Sequence, residues 1–167
     1  DVYKRQLLKS KDAVLMRKIA DQADEQLADA TGYSLTDLGI DPLTFVEWML
    51  VDFDYQLDVN SARYLAPKSV MAEIDGECAQ KGWPVPQTPG QYAHAIYQSL
   101  AHAYAAALDE LESITGEKFD VLCIVGGGAN NTYLNELTEQ AIGRSVLTGS
   151  PEATALGNIL LQEAAYV

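Results

Sequence analysis

The sequence has little cysteine, and it has no long run of apolar residues. Among its 167 residues are only two cysteines, Cys78 and Cys123, and neither has a cysteine or histidine neighbour at a spacing typical of metal ligands. This excludes a disulfide framework and a zinc site, and we expect a reduced, cytoplasmic chain. No apolar stretch is long enough to cross a bilayer and no secretory signal peptide is visible, so we expect no membrane partner.

Positive charge is also scarce. There are 11 Lys and Arg residues against 24 Asp and Glu residues, for a net charge of −13. This argues against nucleic acid or an anionic membrane as a partner. It does not exclude a phosphate-bearing ligand, because such a site needs only a few local N–H groups and a metal ion. On one predicted long helix, we interpret Asp109, Glu110 and Glu112 as a solvated face. His94 and His102 of that helix are expected at the surface or at the edge of the core, not as ligands.

The beginning of the chain divides into two segments. The chain does not begin with Met, and Asp1–Gln6 (DVYKRQ) does not join naturally to the residues after it, so we predict that it is foreign sequence. Residues 7–55 are predicted to be helical, because Lys9–Ala30 has apolar residues at three- and four-residue spacing and Leu43–Phe53 is a second apolar stretch. The aromatic residues expected in a core or an interface here are Trp48, Phe53 and Tyr55.

Two further helices are predicted in the middle of the chain. Ser69–Lys81 should form one, which a glycine ends. Thr88 should cap the next, with Pro89 in its first turn and Gln91 completing a capping box, and this helix should run to about Thr115. The predicted buried face of the first helix is Val70, Met71, Ile74, Cys78 and Ala79. The predicted buried stripe of the second is Tyr92, Ile96, Leu100, Tyr104, Leu108, Leu111 and Ile114.

A βαβ unit is predicted in the last third of the chain. Phe119–Val125 is a nearly continuous apolar run, typical of a strand buried on both faces of a parallel sheet, with Cys123 as a small buried side chain. Asn130 or Asn131 should cap the next helix, and Ser145–Thr148 should form the second strand. Because two strands alone do not make a stable sheet, we expect the chain to be part of a larger α/β protein.

The turn after the first strand has the composition of a ligand site. Gly126, Gly127 and Gly128 lie at the carboxyl end of the strand, where ligands bind in open α/β sheets. Glycine permits positive φ and lets the backbone approach a ligand closely, and the next helix directs N–H groups at the turn. The spacing excludes the dinucleotide fingerprint, since Asn131 takes the sixth position, and no P-loop Lys is present after the glycines. From the glycines alone, a tight turn without a ligand is equally compatible.

The residues around this turn resemble the C-terminal, ATP-side signature of the FGGY carbohydrate kinases. The resemblance rests on VGGGANNTYLNELTEQAIGRSV at residues 125–146 and on GSPEATALGNILLQ at residues 149–162. The supporting segments upstream are Arg63–Pro67, Met71–Ile74, Pro84–Gly90 and Ser99–Ala101. The resemblance extends from about Gln56 to Gln162, does not include Leu7–Phe53, and is strongest to the members that act on L-rhamnulose.

This resemblance implies an α/β fold over residues 56–167: an incomplete C-terminal actin-like, ribonuclease-H-like ATPase domain, helix-rich with a βαβ unit. In the family this domain closes over ATP and Mg²⁺, while the N-terminal kinase domain, missing here, holds the sugar site and the catalytic Asp. The positions carried over to the nucleotide site are Gly126, Gly127, Gly128, Ala129, Asn130 and Asn131. No catalytic residue and no metal ligand is expected in this chain.

The implied activity of the intact protein is transfer of the γ-phosphoryl group of ATP to a ketose, L-rhamnulose. We expect this chain alone to be inactive, because the catalytic half is absent. Another FGGY kinase acting on L-fuculose or xylulose remains an alternative, as does a non-catalytic nucleotide-binding module. A methyltransferase-like domain is disfavoured, since Ser145–Thr148 ends in Thr where an acidic ribose contact is expected.

Overall fold

The computed structural model describes residues 13–50, 53–150 and 152–165, so the predicted foreign segment Asp1–Gln6 lies outside the described part. The described chain combines helices with one small parallel sheet, as the sequence predicts. The helices are α1 Ala13–Thr31, α2 Pro42–Met49, α3 Val70–Lys81, α4 Pro89–Thr115, α5 Thr132–Ile142 and α6 Ala153–Ala165. The strands are β1 Val121–Ile124 and β2 Ser145–Thr148, and short 3-10 turns lie at Ala62–Tyr64 and Gly127–Asn130. No helix in these ranges has the length and apolar character needed to cross a bilayer.

The helices begin where the sequence places capping side chains. The Asp41 carboxylate accepts a hydrogen bond from Thr44 N at 2.8 Å, and a proline occupies the first position of α2. The Thr88 hydroxyl accepts from Gln91 N at 3.3 Å at the start of α4, as predicted. The Gln91 side chain accepts from Gln87 N at 2.6 Å, not from Thr88 N, so the predicted capping box is only half formed.

The sheet is covered on one face by the described residues. β1 and β2 pair in parallel, with Val121 opposite Ser145 and Ile124 opposite Thr148, and α5 connects them and packs against β2. Apolar side chains on the sheet are exposed: the exposed fraction is 43% for Val121 of β1 and 57% for Leu147 of β2. Val125, the residue after β1, is 54% exposed. Cys123 is exposed as well. The prediction that β1 is buried on both faces, with Cys123 inside, is therefore wrong, because the described chain places a helix layer only on the α5 side.

The core consists of two apolar clusters. The first joins α1, α2, α4 and α5 and contains Ile19, Ala20, Val46, Met49, Ala101, Tyr133, Leu134 and Leu137. The second joins α3, α4 and the extended segment 53–57 and contains Tyr55, Leu57, Ile74, Cys78 and Ala95. Burial of each large apolar side chain stabilises the fold by about 1.5–3 kcal/mol. Because Tyr133 and Leu134 belong to the first cluster, core packing fixes the first turn of α5.

Helices α2 and α4 cross in close contact at Gly90. A Cβ atom on Gly90 would lie 2.5 Å from Phe45 O and 2.6 Å from Trp48 Cβ. Contacts that short do not occur between real atoms, so only glycine permits this approach. The Gly90 position therefore sets the distance between the two helices.

The buried face of α4 differs from the predicted stripe. Leu108 is buried, but Tyr104, Leu111 and Ile114 are 36%, 47% and 76% exposed, because no described element packs on that side of the end of the helix. The polar residues that take buried positions instead are His94, Gln98, Ser99 and Glu112. On α3, Ile74 and Cys78 are buried as predicted, whereas Val70, Met71 and Ala79 are exposed.

The extended segment 53–57 explains two of these buried polar residues. Gln98 Oε1 accepts a hydrogen bond from Tyr55 N at 2.9 Å, and Ser99 Oγ accepts from Leu57 N at 2.9 Å. A buried backbone N–H without a sheet partner needs an acceptor, and α4 provides it from its side chains. Tyr55 itself is 2% exposed, which confirms its predicted core position.

Candidate functional site

A sharp turn joins the end of β1 to the start of α5. Gly126 has φ 82° and ψ −168°, a conformation that is accessible mainly to glycine. Gly127–Asn130 then forms one 3-10 turn. Gly126 N donates to Ser150 O at 3.1 Å, and Gly149 N donates to Ile124 O at 2.8 Å, so the turn is held to the end of the sheet. The structure therefore has the strand-to-helix turn that the sequence predicts.

Asn131, and not Asn130, caps α5. Asn131 Oδ1 accepts a hydrogen bond from Leu134 N at 2.9 Å, whereas Asn130 is exposed. The positive end of the α5 dipole points back towards the turn. This end of α5 therefore favours electron-rich groups of a ligand.

Gly127 and Gly128 present bare backbone at the surface. Both residues are exposed, and a Cβ atom on either would meet nothing within 4 Å. Within the described part of the chain, neither N–H group donates a hydrogen bond. Two neighbouring N–H groups of this kind form a donor site for an oxygen or nitrogen atom of a ligand.

Helix α1 is held against the turn by two glutamines. Asn131 Nδ2 donates to Gln26 Oε1 at 3.2 Å, and Thr132 N donates to Gln22 Oε1 at 3.2 Å, across 105 and 110 residues of sequence. The two glutamines are four residues apart and therefore share one face of α1. Sequence reasoning missed them, because polar residues at this spacing are common on solvated helices.

A polar cavity of about 550 Å³ lies between the turn, α1 and α5. Ala129 and Asn130 form the wall on the side of the turn. The charged residues around the cavity are Lys18, Glu25, Asp29, Glu136 and Glu139. With four acidic side chains against one basic side chain, the cavity disfavours a phosphate chain and favours an uncharged group that donates hydrogen bonds.

Asn135 lies beneath the turn and lines the polar cavity. Its Nδ2 donates to Ala129 O at 2.9 Å, which assigns the orientation of the side-chain amide. Its Oδ1 is buried and has no hydrogen-bond partner among the described residues. An unpaired buried acceptor costs about 1–3 kcal/mol, so a hydrogen-bond donor reaching Oδ1 would be stabilised there.

A second, apolar cavity of about 420 Å³ lies between α1, the loop at residues 33–40 and α2. Its apolar wall includes Leu27, Leu35, Phe45, Met49 and Tyr97. Of the turn residues, Asn131 alone lines it. This cavity therefore accepts an apolar group, but it does not adjoin the bare backbone of the glycines.

Glu112 lies at the other end of the sheet, beside the starts of β1 and β2. Its carboxylate contacts the Arg144 guanidinium, and it accepts from Lys118 Nζ at 2.5 Å and from Phe119 N at 3.0 Å. These hydrogen bonds from Arg144, Lys118 and Phe119 lower the pKa of Glu112 to about 2. The prediction that Glu112 belongs to a solvated face is therefore wrong, because Arg144 approaches it from the turn between α5 and β2.

His94 is fully buried, so its predicted place at the surface or the core edge is also wrong. Its Nδ1 lies 2.8 Å from Tyr133 Oη, and Tyr133 is in the first turn of α5. His94 thus links α4 to the helix after the glycine turn. His102 is partly exposed, as predicted, with its Nε2 2.8 Å from Asp54 Oδ1.

Among the residues that the structure describes, no group of three or more His, Cys, Asp and Glu side chains is arranged to hold a metal ion.

Comparison with known proteins identifies the family. The family model described as "FGGY family of carbohydrate kinases, C-terminal domain" matches residues 49–166. The rhamnulokinase of Bacillus subtilis (strain 168) is 42% identical over 110 residues, which are 66% of this chain and 23% of that protein. The rhamnulokinase of Klebsiella pneumoniae (strain 342) is 43% identical over 108 residues, 65% of this chain and 22% of that protein.

The match therefore spans less than a quarter of the length of these curated relatives. The family model's match at residues 49–166 includes the glycine turn, the cap of α5 and the whole βαβ unit, which confirms the resemblance seen in the sequence. The chain belongs to the FGGY family of carbohydrate kinases.

Proposed function

We propose that this chain forms the nucleotide side of an ATP-dependent sugar kinase, and that ATP contacts the turn from Gly126 to Asn131. The observation that carries the proposal is the pair of bare N–H groups at Gly127 and Gly128, placed directly before a capped helix. A turn at the carboxyl end of a parallel strand is a general ligand position in α/β proteins. The match to a family of carbohydrate kinases supports ATP as the ligand of this turn.

The charge around the polar cavity supports one orientation of the nucleotide. The base lies beside Ala129 and Asn130 or Asn131, because an uncharged base tolerates the acidic wall that Ala129 and Asn130 adjoin. The phosphate chain points away from Glu25 and Asp29, which repel it. Mg²⁺ neutralises the phosphates in this class of reaction, and no residue of this chain is assigned as its ligand.

The proposed reaction of the intact protein is transfer of the γ-phosphoryl group of ATP to a hydroxyl of a ketose. We assign L-rhamnulose as the ketose, since the two relatives are named rhamnulokinases. L-fuculose or xylulose is the alternative, because the sugar contacts lie mainly outside this chain. Residues 56–167 would form part of an actin-like, ribonuclease-H-like ATPase domain in a cytoplasmic enzyme, and the N-terminal kinase domain would provide the general base. The chain alone would therefore be inactive.

Calorimetric titration of the 167-residue chain with ATP tests the nucleotide site. Gly127→Val should weaken ATP binding by about tenfold or more, because the new side chain occupies the space of the ligand, and its Cβ has no protein atom within 4 Å. Gly76→Val is the matched control, since Gly76 is exposed on α3, and it should leave ATP binding unchanged. Equal affinities of the wild-type chain and Gly127→Val for ATP would contradict the proposed site.

A chimaera tests the kinase assignment. Residues 56–167 would replace the matching part of the Bacillus subtilis rhamnulokinase, and ATP-dependent phosphorylation of L-rhamnulose would be measured. We expect activity in the chimaera, its loss in the Gly127→Val chimaera, and none in the 167-residue chain alone. An inactive but folded chimaera, or phosphorylation by the chain alone, would refute this part of the proposal.

A further inference from the structure

We propose that the apolar cavity between α1, the loop at residues 33–40 and α2 binds a small uncharged aromatic molecule that carries a hydrogen-bond acceptor. This inference goes beyond the proposed function, because it requires no nucleotide. Most of the residues that line the cavity precede residue 49, where the match to the family model begins. The site is therefore built mainly by the segment of the chain that the family match does not include.

The cavity has the size of a ligand site. Its volume is about 420 Å³, and pockets for small molecules have volumes of about 300–1,000 Å³ with mainly apolar walls. Protein interiors contain few voids larger than a water molecule, and an apolar cavity of about 150 Å³ already binds benzene. This cavity therefore has room for two fused aromatic rings with a short substituent.

The lining of the cavity selects an uncharged molecule. Among the described residues, no charged side chain lines it, although 21% of the chain is Asp, Glu, Lys or Arg. Ile19, Leu35 and Met49 of the lining are at most 3% exposed, and the rings of Phe45 and Tyr97 also form part of the wall. A charged ligand would lose its hydration here without gaining a counter-ion, so the cavity disfavours phosphates and accepts apolar rings.

Two side-chain amides in the lining, those of Gln22 and Gln26, add a polar requirement. The oxygen of Gln22 already accepts from Thr132 N at 3.2 Å. The oxygen of Gln26 accepts from Asn131 Nδ2 at 3.2 Å. Among the described residues, neither Nε2 group donates a hydrogen bond. Because an amide nitrogen can only donate, the molecule that fits best carries an acceptor such as a ketone oxygen.

Hydrogen bonds hold the loop at residues 33–40 in place, so the cavity exists before a ligand binds. The carboxylate of Asp24 on α1 accepts from Leu35 N at 2.7 Å. Ile40 N donates to Leu35 O at 2.9 Å, and both of these loop residues line the cavity. A preformed site spares the ligand the free-energy cost of ordering the loop.

Fluorescence titration of the 167-residue chain with prodan tests the site. Prodan is a naphthalene with a propionyl and a dimethylamino group, and its emission shifts to the blue in an apolar environment. Ala23→Phe should weaken prodan binding by about tenfold or more, because the new ring takes the space of the ligand. Leu38→Glu, at a lining position that is 56% exposed and therefore tolerant of substitution, should weaken it by about threefold or more. Ala107→Phe on the exposed side of α4 is the matched control and should keep the wild-type affinity.

Displacement of prodan by two matched naphthalenes tests the acceptor. 2-Ethylnaphthalene has a methylene group where 2-acetylnaphthalene has its carbonyl, so the ratio of the two affinities isolates the hydrogen bond. Replacing both Gln22 and Gln26 with Met should shift this ratio by about fivefold towards the ethyl compound. Gln140→Met, an exposed amide on α5, is the control and should leave the ratio unchanged.

Several outcomes would overturn the inference. Absence of prodan binding by the wild-type chain would do so without any variant, and so would equal affinities of wild type, Ala23→Phe and Leu38→Glu. An affinity ratio that ignores the loss of both glutamines would refute the acceptor. Competitive displacement of prodan by ATP would make the cavity part of the nucleotide site. A dimer in light scattering that Ala23→Phe dissociates would assign the cavity to a second copy of the chain.

Discussion

Gly90→Ala should destabilise the fold at the crossing of α2 and α4. The added methyl group would lie 2.5 Å from Phe45 O and 2.6 Å from Trp48 Cβ, both of which are rigid parts of α2. Ordinary contacts of this kind lie at about 3.5–4.0 Å, so the two helices must separate by about 1 Å. That separation loosens the first core cluster along the crossing.

Two opposing effects set the magnitude. Alanine is favoured over glycine within a helix by at most about 1 kcal/mol. Overpacking against a fixed neighbour costs about 1–3 kcal/mol or more, and here the neighbour is helix backbone on one side. We therefore expect Gly90→Ala to lower the free energy of unfolding by about 1–2 kcal/mol, which for a chain of this size lowers Tm by roughly 2–8 °C.

Urea denaturation detected by circular dichroism measures this directly, and Gly76→Ala is the matched control. Gly76 lies on the exposed side of α3, and a Cβ there meets nothing within 4 Å. The same chemical change should therefore raise stability at Gly76, by about 0.5–1 kcal/mol, and lower it at Gly90. If both variants were stabilised, the close approach of α2 and α4 at Gly90 would be refuted.

Three further predictions concern single side chains. Asn131→Ala should lower the free energy of unfolding by about 1 kcal/mol in urea denaturation, because the α5 cap is lost, whereas Asn130→Ala should stay within about 0.5 kcal/mol of wild type; equal effects would refute the assignment of the cap. The pKa of Glu112 is lowered to about 2 from its ordinary 4.5, so its stabilising contribution is complete above pH 4.5 and is lost as the pH falls through 2. Urea titrations at several pH values should therefore show the stability gap between wild type and Glu112→Gln shrinking from pH 5 to pH 2, and a gap independent of pH would contradict the ion pair. Cys123 should react with a thiol reagent in the native protein, while Cys78, which is buried and has a raised pKa, should react only on unfolding; equal rates for the two thiols would refute their assigned environments.

Local features of this fold could be predicted from the sequence. The start of α4 at Thr88, the end of α3 at a glycine and the strand-to-helix turn are each encoded within a few neighbouring residues. The burial of Glu112 could not be predicted, because its partner Arg144 is 32 residues away and only the folded chain brings them together. The burial of Gln98 and Ser99 on α4 could not be predicted either, because their partners in segment 53–57 are 43 and 42 residues away. The apolar periodicity of α4 predicted a different buried face.

In the candidate site, too, some features could be predicted from the sequence and others could not. The turn residues and their resemblance to a kinase signature were readable from the sequence, since both lie in one continuous segment. The contacts of Gln22 and Gln26 and the unpaired oxygen of Asn135 were not, because each depends on where a distant helix packs. Residue types at single positions carry no information about such long-range placement.

The attachment of α1 to the glycine turn has a kinetic consequence. Contacts that span 105 and 110 residues require closure of a long loop, whereas α4, α5 and the two strands meet over short separations. We therefore expect the contact between α1 and the turn to form after α4, α5 and the two strands have packed together, and to break again without global unfolding. Hydrogen exchange should show amides of α1 opening at lower free energy than those of α5. Since α1 forms one wall of the polar cavity, each such opening would remove that wall, and the cavity would exist only while the last-folded part of the molecule stays in place.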